Sequence, residues 1–144
     1  MTASLPAIAF AGIGLMGLPM TRRLLAAGYP LSIWNRSPDK CLALLEQGAQ
    51  RVLTPAELCA EAGIVMLCLA NTEVVREVVF GPGGIVEGGK PGQLLVDFSS
   101  LEPAATREMA AELERRTGMR WVDAPVSGGT PGAEAGTLAI MAGG

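Results

Sequence analysis

Gly12-Ile13-Gly14-Leu15-Met16-Gly17 follows the apolar run Ile8-Ala9-Phe10 and opens into Leu18-Pro19-Met20-Thr21-Arg22-Arg23-Leu24-Leu25-Ala26-Ala27-Gly28. Glycines at this spacing, between a strand and a helix, suit the binding of a pyrophosphate. The first permits a tight turn, the second lets backbone approach the ligand, and the third lets helix pack closely on strand. The anion then meets unpaired N–H groups at the positive end of the helix. A structural turn is the competing reading, since nineteen glycines in 144 residues produce some such spacings by chance. The strand before and the helix after favour a dinucleotide site.

Other chemistry is thinly supplied. There is no histidine, which removes the commonest general base and the commonest metal ligand. Cys41, Cys59 and Cys68 are odd in number and unpatterned, so they read as free thiols of a reducing cytoplasm. A net charge of −3 gives no reason to expect nucleic acid or an anionic membrane as partner. No secretory leader and no run of membrane-spanning length is expected. The composition, 49% apolar, is enough for one core of ordinary size, and one domain over 1–144 is expected.

Strand and helix signals alternate along the chain. Strand-length apolar runs are Ile8–Ala11, Leu31–Trp34, Ile64–Leu69, Leu94–Val96, Trp121–Val122 and, late, Leu138–Ala142, with a weaker one at Arg51–Leu53. Helical patterns fall between them at Met16–Ala27, Pro38–Gln47, Pro55–Ala62, Glu73–Phe80 and Pro103–Thr117. Thr54-Pro55-Ala56-Glu57 has the form of a capping box with proline at the first helical position. Repeated βα units with short connections imply an α/β, Rossmann-type doubly wound sheet, mostly parallel, with helices on both faces.

Ligands of such sheets bind beyond the carboxyl ends of the strands. Those ends read Gly12–Gly17, Asn35-Arg36-Ser37, Ala70-Asn71-Thr72, Ser99-Ser100 and Ser127-Gly128-Gly129. Asn71-Thr72 is equally a helix cap. At the second end, an NAD site normally carries Asp or Glu for the ribose 2′-hydroxyl. Here there is no acid before Asp39. A carboxylate would repel a 2′-phosphate, whereas the Arg36 guanidinium can bind one through two hydrogen bonds, so NADP is favoured over NAD. The alternative is that Arg36 is a solvated surface charge.

Three motifs in order resemble the N-terminal domain of the β-hydroxyacid dehydrogenases. This is the family of 3-hydroxyisobutyrate dehydrogenase and 2-hydroxy-3-oxopropionate reductase, with 6-phosphogluconate dehydrogenase more distant. They are Gly12-Ile13-Gly14-Leu15-Met16-Gly17-Leu18-Pro19-Met20, Val96-Asp97-Phe98-Ser99-Ser100, and Asp123-Ala124-Pro125-Val126-Ser127-Gly128-Gly129, the last followed by Gly132-Ala133 and Gly136-Thr137-Leu138. The resemblance implies that Gly12, Ile13, Gly14, Leu15, Met16 and Gly17 hold the pyrophosphate. Asn35, Arg36 and Ser37 would bind the adenosine end, Leu69, Ala70 and Asn71 would line the cofactor, and Ser99 would contact the nicotinamide ribose. Ser127, Gly128 and Gly129 would bind the carboxylate and hydroxyl of a small hydroxy acid or semialdehyde. Ala70-Asn71 departs from the Pro-Asp or Pro-Thr that many members carry.

In that family the proton shuttle is a lysine on a later helix, and an all-helical second domain completes the pocket and builds a homo-oligomer. The only lysines are Lys40, on the adenosine side, and Lys90, before the fifth strand and placed at the opposite edge of the sheet. Asp97 and Asp123 read as structural carboxylates that cap backbone. The expectation is therefore a cofactor domain of an NAD(P)-dependent oxidoreductase without its own acid/base; a stand-alone binding module that never turns over is the alternative. Leu138–Gly144 is expected to be a strand at a sheet edge, poorly ordered or paired against another copy.

Overall fold

The computed structural model describes residues 5–143. Its centre is Ile8–Ala11 (β1), four residues buried on both faces, as a continuous apolar run requires of an inner parallel strand. The chain then runs through Gly17–Ala26 (α1), Leu31–Trp34 (β2), Leu42–Glu46 (α2) and Gln50–Arg51 (β3). It crosses back for Ile64–Leu67 (β4), Thr72–Phe80 (α3), Leu94–Asp97 (β5), Pro103–Thr117 (α4) and Arg120–Asp123 (β6). Val126–Ser127 (β7), Gly129–Ala135 (α5) and Ala139–Ile140 (β8) follow.

The six-stranded sheet is parallel, in the order β3-β2-β1-β4-β5-β6. β1 pairs Ile8 with Leu31 of β2 on one side and with Ile64 of β4 on the other. The direction of winding thus reverses between β1 and β4, which opens a crevice at their carboxyl ends. Ala9, Ala11, Val65, Leu67 and Leu95 face one helical layer, with Val75, Val78 and Val79 of α3 and Met109 and Leu113 of α4. Ile8, Phe10, Leu31 and Ile33 face the other, with Leu44 of α2 and the inner side of α1. Burying a side chain the size of Phe10 or Ile33 stabilises by about 2–3 kcal/mol.

The expected doubly wound sheet is the observed one, with differences at the margins. Pro38–Cys41 and Pro55–Cys59 are 3₁₀ turns, the first running into the short α2. The capping box does not form. Thr54 makes no side-chain cap bond, while the Glu57 carboxylate accepts from the Leu53 N–H at 3.0 Å, one residue further back. The weak third strand sits at Gln50–Arg51, and Ile64–Leu69 ends at Leu67, where the backbone turns into the crevice.

The late strand corrects its expectation more deeply. β8 pairs antiparallel with β7 of its own chain, Ser127 opposite Ala139. Beyond it, Gly143 exchanges both backbone hydrogen bonds with Asp123, at 2.8 and 2.7 Å. The reversal is made by α5, a helix that the Gly-Thr-Pro-Gly composition hides. Pro131 lies in its first turn, where a missing N–H costs nothing.

Candidate functional site

Two glycines make the crevice possible. Gly12 has φ +103°, and a Cβ there would collide with the Cys68 carbonyl of the loop after β4. A Cβ on Gly17 would strike the Gly12 carbonyl, so α1 could not approach the turn. Gly14 differs: nothing lies within 4 Å of where its Cβ would stand, and it is exposed. Packing therefore requires the outer two glycines, and the middle one keeps space clear for something else. Leu18 N–H donates to the Gly14 carbonyl at 3.0 Å, leaving the amides of Gly14 to Gly17 for another acceptor. The first turn of α1 carries no acidic residue to compete with an anion.

The turn is braced from β2. The Asn35 side-chain oxygen accepts from Ile13 N–H at 2.8 Å, and its amide donates to the Ser37 carbonyl at 3.0 Å. Asn35 thus holds the glycine turn against the end of β2. Across the crevice, the Leu69 N–H donates to Ser99 Oγ at 2.8 Å, so a 3%-exposed serine ties the end of β5 to the loop after β4. Asn71 caps α3, its side-chain oxygen accepting from Val74 N–H at 2.9 Å. Of its two readings, helix cap and site residue, the observed bond belongs to the first.

Between these braces runs a groove of about 210 Å³ lined by Gly12, Gly14, Asn35, Arg36, Leu69 and Ala70. Trp34, Cys68, Val74 and Val78 complete its wall and were not legible as site residues. Val74 and Val78 have the i, i+4 spacing of any core-facing helix stripe. Leu15 and Ser37 are exposed and Met16 half-buried at the rim. Arg36 sits at the open end with its guanidinium 2.7 Å from the Glu77 carboxylate.

A family model for the NAD binding domain of 6-phosphogluconate dehydrogenase matches residues 7–144. The chain belongs to that family. Among similar proteins, the 2-(hydroxymethyl)glutarate dehydrogenase of Eubacterium barkeri is 41% identical over 136 residues, covering 94% of this chain and 45% of the relative. The structure of Mycobacterium tuberculosis 3-hydroxyisobutyrate dehydrogenase with L-serine superposes with a TM-score of 0.89 at 36% identity, over 97% of this chain and 47% of that one. A structure described as Psf3 in complex with NADP+ and 2-OPP also gives 0.89, at 32% identity over 94% and 48%. The chain spans somewhat under half the length of these relatives.

The other motif of this NAD-binding family member lies apart from the groove. Ser127, Gly128 and Gly129 are all exposed, on the β7–α5 turn. Arg23 of α1 ties α5 back, donating to the Glu134 carbonyl at 3.3 Å. Lys40 is exposed on the 3₁₀ turn after β2. Lys90 lies just before β5, at the amino ends of the strands and so opposite the crevice, as its sequence position implied.

Asp97 behaves as expected of a structural carboxylate, with Oδ1 accepting from Ser99 N–H at 2.9 Å. Its Oδ2 is buried without a partner, and burial pushes its pKa up to about 6 despite the Ser99 bonds. Asp123 sits opposite it in the β5–β6 register and is also raised by burial, but its side chain caps no backbone group among the described residues. Burial, with the Asp97 charge adding to it, pushes the Cys68 thiol up to about 11, so it is not a nucleophile at neutral pH. Among the described residues no group of three acidic, cysteine or histidine side chains could hold a metal, and no helix is long and apolar enough to cross a membrane.

Proposed function

We propose that this chain is the cofactor domain of an NADP(H)-dependent β-hydroxyacid dehydrogenase. Its intact form would move a hydride between the nicotinamide and a small 3-hydroxy acid or its semialdehyde, of the 3-hydroxyisobutyrate or 2-hydroxy-3-oxopropionate type. The nicotinamide, when bound, supplies the hydride acceptor or donor. The observation that carries the reading is the open glycine groove with Arg36 at its adenosine end and no carboxylate on β2. The NADP+ complex of one structural neighbour and the dehydrogenase names of others support it.

Each group then has a task. The Gly12–Gly17 turn holds the pyrophosphate, through the amides from Gly14 onward and the positive end of α1. Asn35 keeps that turn in shape through Ile13, and Ser37 lies beside it at the adenosine end. Leu69 and Ala70 line the cofactor, with Asn71 beside them at the cap of α3, and Ser99 fixes Leu69 and contacts the nicotinamide ribose. Arg36 binds the 2′-phosphate. Ser127, Gly128 and Gly129 take the carboxylate and hydroxyl of the substrate. The proton-transferring lysine and the rest of the pocket come from outside these 144 residues, and the full-length enzyme is a homo-oligomer of the cytoplasm. The three unpaired cysteines fit a reducing compartment.

Calorimetry tests the cofactor assignment. NADPH should bind more tightly than NADH, and Arg36→Ala should weaken NADPH by about ten- to a hundredfold, the worth of a charge-assisted hydrogen bond, while NADH changes little. Arg36→Asp should reverse the order. Equal affinities with Arg36 intact would overturn the assignment. The purified chain should also bind cofactor without turning over any semialdehyde, since a placed acid/base contributes typically about 10²–10⁴-fold.

A further inference from the structure

The ligand-facing end of β2 lacks a carboxylate in sequence, yet the fold brings one to the same place from α3. Glu77 lies 41 residues from Arg36, and its Oε2 stands 2.7 Å from the guanidinium. The contact is tertiary and is held by well-fixed backbone at both ends. Arg36 is the second residue past β2, and α3 is anchored by its Asn71 cap and by Val75, Val78 and Val79 in the core. Val74 and Val78, one turn before Glu77 and one residue after it, form part of the groove wall.

We infer that Glu77 sets how strongly this site prefers NADP(H) over NAD(H). It is the resident partner of Arg36 that a 2′-phosphate must displace, and a fixed negative charge beside the phosphate once bound. The inference rests on the assignment of Arg36 to the 2′-phosphate made above. Both side chains are about two-thirds exposed, at 63% and 65%, so the pair adds little to the fold and rearranges readily. What remains is the repulsion between a carboxylate and a dianionic phosphate sharing one guanidinium. At about 6 Å in water and physiological salt this amounts to about a three- to tenfold loss of affinity. A 2′-hydroxyl carries no charge and does not feel it. Glu77 therefore narrows the gap between the two cofactors, and Arg36 widens it.

The test is cofactor affinity, by calorimetry, for the wild-type 144-residue chain, Glu77→Gln, Glu77→Lys and Arg36→Ala. NADPH should tighten about three- to tenfold in Glu77→Gln and further in Glu77→Lys. NADH should move by less than about twofold in both, and the NADPH gain should shrink at about 0.5 M salt. Melting temperatures should stay within about 2 °C of wild type. If Arg36→Ala weakens NADPH selectively but the Glu77 variants leave the NADPH:NADH ratio unchanged, the role of Glu77 is refuted and the Arg36 assignment stands. If Glu77→Gln weakens NADPH, Glu77 orients Arg36 and the inference is overturned. If Arg36→Ala changes nothing, both fall together.

Discussion

Two glycine-rich turns, one after β1 and one after β7, use the same residue type for opposite ends. At Gly12 and Gly17 backbone meets backbone, and a single added methyl would have to push a carbonyl aside. At Gly129 the nearest atom to an added Cβ is 3.7 Å away, and the residue is exposed. The first turn is held to the end of β2 by Asn35, and the loop that faces it is fixed by Ser99. The second rides on a short helix tied down by Arg23 at 3.3 Å. The first turn is thus finished within the sheet, whereas the second is presented outward to solvent.

Gly17→Ala should break this contrast most visibly, costing about 3 kcal/mol by overpacking against the Gly12 carbonyl and abolishing cofactor binding. Urea unfolding would measure it; a loss below about 1 kcal/mol would mean that α1 can shift without harm.

Asp97 makes the next largest effect. Its folded pKa of about 6 lies above the ordinary 3.8, so the protonated form favours folding. That contribution is full below about pH 4, declines as pH rises through 6, and amounts to roughly 2–3 kcal/mol at most. Asp97→Asn should therefore stabilise the chain at pH 7.5 by about 2 kcal/mol and flatten the fall in stability between pH 4 and 6.5. Denaturant midpoints across that range decide it, and an unchanged slope would show that Asp97 does not hold its proton.

Smaller still, Ser99→Ala removes the acceptor of the Leu69 N–H and should cost about 1–2 kcal/mol, with weaker binding of both cofactors alike. Gly129→Ala, at φ +59°, should cost about 1 kcal/mol and leave cofactor affinity untouched. Were Gly129→Ala to impair cofactor binding, the two turns would be one unit after all.

The sequence made the central strands and the glycine turn legible because apolar runs of strand length and positive-φ glycines are local signals. What it concealed is either anti-propensity or distant. Gly129-Thr130-Pro131-Gly132 argues against helix, yet tertiary packing on α1 and a proline confined to the first turn allow α5. Thr54-Pro55-Ala56-Glu57 promised an α-helix, but five residues closed as a 3₁₀ turn with Glu57 reaching past its cap. Glu77 carried no signal as a site residue, since its partner lies 41 positions away. Ser99 and Asn35 stood out as hydrogen-bonding residues at strand ends, but only the fold reveals that each braces another loop.

The strand order also fixes a schedule. Ile8 of β1 is bonded to Ile64 of β4, so the innermost strand, though among the first made, has one edge open until the chain has grown past the fourth. At about 5–20 residues per second on a ribosome, the glycine turn exists for several seconds before the wall it faces has been synthesised. During that interval Phe10 and its neighbours are covered on the β2 side alone. A nascent chain stalled near residue 60 should be a client for chaperones, and one stalled after residue 100 much less so.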